Sequence, residues 1–188
     1  MSIIIQQKRL HKILIIVCFL ISLGCNNHPT RELVLFDFES DSDLDRVHWK
    51  CHTFFSLSDR YVTHGRGSLR LELYPSDYPG LNPMLKDKDW RGYKTLCFDI
   101  YNTAKKEIRI TIRIDDKEEN PPYADRYNKS FMLKPGMNHM QLRLDSLMTS
   151  GTGRKLNLKK IHSFLIFMVN PARKVVLYLD YLRLVPLL

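Results

Sequence analysis

The chain has 188 residues with a formal net charge of +9, and 44% of its residues are hydrophobic. This length is enough for one domain with a sizeable core. The sequence contains no nucleophile elbow, no phosphate-binding glycine loop, no zinc-protease helix and no nucleic-acid-binding motif. Composition and motifs therefore disfavour an enzyme and a nucleic-acid partner.

The first residues have the pattern of an export signal. Basic residues within Lys8–Lys12 precede an apolar run of 11 residues, Ile13–Leu23. A membrane-spanning helix needs about 20 apolar residues, so this run is too short to span a bilayer and is typical of a signal peptide. An exported chain has no access to cytosolic DNA or RNA, which again disfavours nucleic acid.

The end of this segment resembles the lipobox of bacterial lipoproteins, because Cys25 follows Gly24, although Ser22 stands where that motif usually has Leu. We therefore expect residues 1–24 to be a lipoprotein signal peptide and Cys25 to carry the lipid. Residues 25–31 would be a tether between a membrane anchor in the bacterial cell envelope and the folded domain. The alternative is ordinary cleavage near Gly24, with Cys25 as a plain thiol.

Removing the predicted signal leaves 26 basic and 20 acidic residues, a net charge of +6. This excess favours anionic surfaces such as lipid headgroups or acidic glycans. The plainer interpretation is a charged face that only keeps the domain soluble.

Alternating apolar and polar residues predict strands, and the clearest run is Glu107–Asp115. Its four isoleucines point to one face, and the opposite face carries Arg109, Thr111, Arg113 and Asp115. A strand with this pattern has one buried face and one solvated face. We expect Asp115 to be delivered outward at the end of the strand.

Eight further runs are strand-like, and turn signals such as Pro79-Gly80 separate them. The nine predicted strands are Leu33–Glu39, Val47–Leu57, Ser68–Tyr74, Lys94–Tyr101, Glu107–Asp115, Lys129–Leu133, Asn138–Leu144, Ser163–Val169 and Val175–Leu184. At most one helical turn is expected, around Asp145–Met148. The sequence therefore predicts an all-β sandwich that occupies residues 32–188.

Two cysteines lie within the predicted domain, Cys51 and Cys97. An exported domain could join them by a disulfide bond. Both lie in strand-like runs, however, where a lone cysteine commonly packs as a small hydrophobic residue. The sequence leaves both states open and favours free thiols.

Five segments occur in an order that resembles a known family: "LFDFES", "HGRGSLRLEL", "DWRGYKTLCFDIYN", "FMLKPGMNHMQLRL" and "LYLDYLRL". Together they resemble galactose-binding-like β-sandwich (jelly-roll) domains of the carbohydrate-binding-module type. The run "IDD…PPYADRYNKSFMLKPGMN" is also similar to the sandwich domain attached to some VanZ-like bacterial membrane proteins. The resemblance implies binding without catalysis, of sugars in many members and of proteins in others, so the fold alone does not decide the ligand.

The segment Ile114–Phe131 is the candidate binding loop. It combines an aromatic ring with hydrogen-bond donors and acceptors, which is the combination that sugar recognition requires. The candidate residues are Asp115, Asp116, Tyr123, Asp125, Arg126 and Asn128. The resemblance adds Arg113 and Trp49 on the neighbouring strand face, although the alternation around Trp49 favours a core position. The alternative for the loop is structural: Arg126 would form a salt bridge with Asp115 or Asp116 that pins it.

The resemblance also implies a structural Ca²⁺ ion that ties the first strand to the last. The matching residues are Glu39, Asp41 and Asp180. Calcium takes six to eight oxygen ligands, and the acidic turn after Glu39 contains several carboxylates. The alternative is a solvated acidic turn, with Asp180 bonded to nearby backbone.

These observations together predict a non-catalytic glycan-binding lipoprotein of the bacterial cell envelope. The alternative is a structural or adaptor lipoprotein that binds another envelope protein through the same surface. A sugar-binding domain should place an exposed aromatic ring beside convergent polar groups in a groove. An adaptor should instead expose a broad apolar patch.

Overall fold

A computed structural model of the chain describes residues 30–48, 51–118 and 120–186. The predicted signal peptide, Cys25 and Trp49 lie outside these ranges. Within them, no helix has the length and apolar character needed to cross a membrane.

The described chain forms eleven strands and very little helix. The strands are β1 (Leu33–Phe36), β2 (Val47–His48), β3 (Thr53–Ser58), β4 (Ser68–Leu73), β5 (Gly80–Pro83), β6 (Tyr93–Asn102), β7 (Ile108–Asp115), β8 (Tyr127–Leu133), β9 (Gly136–Arg143), β10 (Ser163–Phe167) and β11 (Val175–Pro186). The helical elements are α1 (Asp41–Leu44) and single 3-10 turns at Tyr123–Asp125 and Leu144–Ser146.

The strands form two antiparallel sheets. The first sheet has the order β3-β4-β11-β6-β9, and β1 pairs with β11 beside this path. The second sheet has the order β2-β5-β10-β7-β8. The chain is therefore an all-β sandwich, and the predicted fold class is confirmed.

The core lies between the two sheets. The four isoleucines of β7, at positions 108, 110, 112 and 114, are all buried, as the alternation predicted. Phe98 of β6 and Phe164 of β10 meet edge to face across the two sheets, with ring centroids 6.1 Å apart. The inward face of β7 is thus committed to the core, which leaves its other face available for a site.

Three local predictions differ from the structure. The predicted strand Val47–Leu57 is two strands, β2 in the second sheet and β3 in the first. Gly80–Pro83, which overlaps a turn signal and contains both glycine and proline, is the short strand β5. The acidic turn after Glu39 contains the helix α1, and a 3-10 turn forms at Tyr123–Asp125, so there are more helical turns than the single one expected. Short elements with few apolar residues give too little periodicity to be recognised in the sequence.

Candidate ligand-binding groove

A groove of about 500 Å³ lies on the outward face of the second sheet. Its floor consists of two rows of side chains that run across β10, β7 and β8. Leu165, Arg113 and Asn128 form one row, and Phe167, Thr111 and Ser130 form the next. Residues two apart on a strand share a face, so the same period that buries the isoleucines places these rows in the groove.

Two tyrosines flank the floor. Tyr123 comes from the loop before β8 and is 63% exposed, whereas Tyr78 comes from the segment before β5 and is 51% exposed. Because β10 and β7 lie between β5 and β8, the two rings stand on opposite sides of the floor. The Tyr78 ring meets Phe167 edge to face at 5.9 Å. Planar rings beside polar groups suit the alternating apolar faces and hydroxyl edges of a sugar.

Asp115 lies on the same outward face of β7 as Arg113, as predicted, but it is not delivered to solvent, because the residue is only 2% exposed. Arg113 Nε donates to both carboxylate oxygens of Asp115, at 3.0 and 2.9 Å, and the Ser163 hydroxyl donates to Oδ2 at 2.9 Å. A buried carboxylate needs such partners to offset its lost hydration. Asp115 therefore holds Arg113 in place at the floor of the groove.

Arg126 does not form the salt bridge with Asp115 or Asp116 that was predicted as the structural alternative. Its Nε donates to the carbonyl oxygen of Pro121, and its Nη2 donates to Asn120 Oδ1 at 3.3 Å. Partial burial and the nearby positive charge of Arg113 lower the pKa of Arg126. Arg126 thus lines the groove as a guanidinium with no carboxylate partner among the described residues.

The loop is nevertheless pinned by a salt bridge, through a residue that the sequence did not indicate. Arg154 donates to both oxygens of Asp116, at 2.6 and 2.9 Å, and to Asp125 Oδ1 at 2.8 Å. Asp116 also accepts the backbone N–H of Asn157 at 2.6 Å. Burial alone would raise the pKa of Asp116, but these donors hold it below its ordinary value. The carboxylates of Asp116 and Asp125 therefore bind other groups of the domain, and neither residue lines the groove.

The hairpin formed by residues 147–156 holds the backbone of Asn128 through two hydrogen bonds. The Ser150 hydroxyl accepts the Asn128 N–H at 3.0 Å and donates to the Asn128 carbonyl at 3.1 Å. The side chain lines the groove, and its Oδ1 is buried without a hydrogen-bond partner in the described part of the chain. Buried polar atoms of this kind are rare and carry an energetic cost.

Four of the residues predicted for ligand binding therefore line the groove: Arg113, Tyr123, Arg126 and Asn128. Their role in binding stays a prediction. Sequence reasoning did not single out Tyr78, Phe167 or Val169, which also line it. Tyr78 adjoins the turn signal Pro79-Gly80, and the uniformly apolar sequence of β10 hides which of its side chains face outward.

The predicted calcium ligands do not form a cage of oxygen atoms. Asp180 Oδ2 accepts the backbone N–H groups of Thr63 and His64, at 2.6 and 3.0 Å, and Oδ1 accepts that of Tyr181 at 2.7 Å. Glu39 Oε1 accepts the N–H groups of residues 66 and 67, both at 2.8 Å. Amide N–H groups thus point at three of the four carboxylate oxygens of Glu39 and Asp180, where a cation would need unoccupied lone pairs.

Asp41 lies apart from these carboxylates, exposed on α1. Across the described ranges, no group of three or more His, Cys, Asp or Glu side chains converges. The residues present therefore do not fit a calcium ion. They instead pin the 63–67 loop to β11 and to the segment after β1.

The two cysteines of the domain are free thiols. Cys97 is buried in β6 of the first sheet, where burial raises the pKa of its thiol. Cys51 is partly exposed beside the groove on the second sheet. This is the arrangement that the strand-like surroundings of both cysteines favoured.

No protein-family model and no curated protein matches this chain. Solved structures do match. A family 11 carbohydrate-binding module from Clostridium thermocellum, in complex with a β-1,3-1,4-mixed-linked tetrasaccharide, matches with TM-score 0.64 and 19% identity, over 84% of this chain and 97% of that one. The sandwich has the fold of carbohydrate-binding modules.

Two further structures agree on this fold. A family 30 carbohydrate-binding module has TM-score 0.54 and 12% identity, over 85% of this chain and 89% of that one. An exo-β-agarase has TM-score 0.67 and 17% identity, over 82% of this chain. The chain spans only 25% of the length of that enzyme. At these identities the matches establish the fold alone.

Proposed function

We propose that this domain is a non-catalytic glycan-binding module of an exported, lipid-anchored bacterial protein. The observation that carries the proposal is the groove itself, in which two exposed tyrosine rings flank a floor with rows of polar side chains. The fold shared with carbohydrate-binding modules supports the same conclusion.

The acidic side chains near the groove favour binding over catalysis. Glycoside hydrolysis uses two carboxyl groups that flank one bond, about 5–10 Å apart. In the described chain, no acid lines the main groove, and Asp115 and Glu118 line the depression beside it. The Asp115 carboxylate is buried and is held by Arg113 and Ser163, which favours a structural role for it.

The test is glycan-array binding of the purified protein, followed by titration calorimetry with each glycan that binds. We expect Tyr123→Ala to weaken binding by about tenfold or more, because exposed aromatic rings commonly dominate the energy of such contacts. Phe54→Ala is the matched control, since Phe54 is 66% exposed on β3 of the other sheet. A folded protein that binds no glycan class would contradict the proposal and point to a protein partner instead.

The lipid anchor has its own test. Mass spectrometry of the mature protein isolated from membranes should show an N-terminal Cys25 that carries acyl chains, and Cys25→Ser should move the protein out of the membrane fraction. Each buried acyl methylene contributes about 0.8 kcal/mol, so several chains hold a domain firmly. An unmodified cysteine, or a longer mature chain that still contains residues 1–24, would refute this part of the proposal.

A further inference from the structure

The groove is part of a longer depression that follows β7. Arg109, Thr111, Arg113 and Asp115 project from the same face of this strand, and they line three adjoining depressions. Val169 lines both the groove and the depression that contains Arg109. Arg113 lines both the groove and the depression that contains Asp115. Arg109 and Arg113 are four positions apart on the strand, roughly 13 Å at the usual rise. The surface is therefore long enough to contact several sugar units of a chain.

The central part of this surface carries positive charge that the described protein does not neutralise. The main groove is lined by two arginines, Arg113 and Arg126, and by no described acid. Both guanidinium groups donate to the same neutral oxygen, Asn120 Oδ1, at 2.9 and 3.3 Å. One carboxylate, Asp115, is paired with Arg113, so the cluster of these three charged residues keeps a net charge of +1. An anionic ligand group beside Arg126 would supply the partner that the protein lacks.

The Val169 end of the surface is also basic. It is lined by five basic residues and no described acid: Lys105, Lys106, Arg109, Arg173 and Lys174. Lys174 pairs with Glu72, whereas the structure records no ion pair between the other four and any described residue. Clustered charges of one sign raise the local concentration of oppositely charged ligands.

The opposite end is different in character. Asp115, Glu118, Lys88 and Lys117 mix both signs there, and Lys117 is also paired with Asp125. The uncompensated charge therefore extends from the main groove toward Val169. This uneven distribution of charge along the surface distinguishes it from a uniformly basic face that only aids solubility.

We infer that the ligand of this groove is an anionic polysaccharide, with carboxylate or sulfate groups on its sugars. The tyrosines contact the sugar faces, Arg126 pairs with an anionic group in the main groove, and the Arg109 end pairs with another further along the chain. This inference rests on the proposed glycan-binding function and adds the chemical class of the glycan.

The test compares charged and neutral forms of the same backbone, so that only the anionic groups differ. Suitable pairs are polygalacturonate with its fully methyl-esterified form, carrageenan with its desulfated form, and dextran sulfate with dextran. A neutral mixed-linkage β-glucan completes the glycan panel. The Cys25→Ser variant, which lacks the proposed anchor, is tested without detergent against vesicles with and without phosphatidylglycerol. We expect the full-length protein in detergent to bind at least one charged form about tenfold or more tightly than its neutral partner. This preference should weaken as salt screens the charges.

Arg126→Met and Arg109→Met keep much of the side-chain stem and remove the charge. We expect each to lower the ratio of affinities for the charged and neutral forms, by about tenfold for Arg126 and severalfold for Arg109. Arg143→Met is the matched control, because Arg143 is exposed on β9 of the other sheet, and it should leave the ratio unchanged. Melting curves of each variant verify that the protein is folded.

The possible failures are distinguishable. Binding to neutral glycans without preference for the charged form would overturn the inference and leave the proposed function intact. A preference that persists in both groove variants would also overturn it, because the charge would then act from elsewhere. Binding of the Cys25→Ser variant to the anionic vesicles with no binding to any glycan, or no binding at all, would overturn both.

Discussion

Arg154→Met is expected to lower the free energy of unfolding by about 3 kcal/mol, although Arg154 does not line the groove. The substitution leaves Asp116 buried without its bidentate partner and removes one of the two cations that hold Asp125. For a chain of this size, such a loss corresponds to a fall in Tm of roughly 6–12 °C. Denaturant unfolding followed by intrinsic fluorescence measures it. Arg91→Met is the control, because its pair with Asp89 is exposed to solvent and should contribute little to stability.

The effect of Arg154→Met should depend on pH. The folded-state pKa of Asp116 lies below its ordinary value of 3.8, so the ionised carboxylate contributes stability above that pH. This contribution is lost as the pH falls through the folded-state pKa. The stability difference between wild type and variant should therefore narrow below about pH 4. A difference that stays constant down to about pH 2 would show that Arg154 acts through packing alone.

The same substitution should indirectly weaken the glycan binding that we propose. Arg154 anchors Asp125, which lies between Tyr123 and Arg126 in the loop, and the 147–156 hairpin also bonds the Ala124 and Arg126 backbone. Weakening these contacts lets the Tyr123 and Arg126 side chains move, so ordering them when a ligand binds costs entropy. We expect a weaker affinity at temperatures where the variant is still fully folded.

Gly80→Ala is the second substitution with a large expected effect. A Cβ atom at this position would lie 2.6 Å from the Cα of Phe167 and would also collide with the Ile166 carbonyl oxygen, because β5 and β10 pack closely at this point. Close-packed backbone cannot yield as a flexible side chain does, so we expect a loss of about 2–3 kcal/mol in unfolding free energy. Displaced Phe167 and Tyr78 would also alter the groove.

Thermal unfolding and glycan titration of the same samples measure both consequences of Gly80→Ala. Gly153→Asn is the control: Gly153 has φ +63°, which Asn tolerates, and no heavy atom lies within 4 Å of the position that a Cβ atom would take there. We expect the control to stay near the wild type in both measurements. An unchanged Tm in the Gly80→Ala variant would mean that β5 and β10 separate at little cost.

The period-two pattern of β7 carried most of what could be predicted from the sequence. It identified the buried isoleucines and the polar stripe that forms the floor of the groove. It could not show that Asp115 would be buried, because burial depends on Ser163, far along the chain in the neighbouring strand. Alternation gives the face on which a residue lies, but not what covers that face.

The loop illustrates the same limit for charged residues. Its composition correctly suggested a pinned, polar segment, and the structure places Tyr123, Arg126 and Asn128 at the groove. The pinning partner was misassigned to Arg126, an arginine within the loop itself, whereas Arg154 reaches the loop from a hairpin more than twenty residues downstream. Side-chain pairing across a sandwich is set by strand order, which local sequence does not contain.

The adjoining depressions along β7 have a consequence for avidity. A binding surface that follows a strand accepts an interior stretch of a polymer, so one long chain can be held by many copies of the protein at once. Copies fixed on a common surface act at a high effective concentration, and the joint hold on the polymer then greatly exceeds that of a single domain. With the proposed lipid anchor, modest affinity per domain would be sufficient to hold such a chain at a membrane surface.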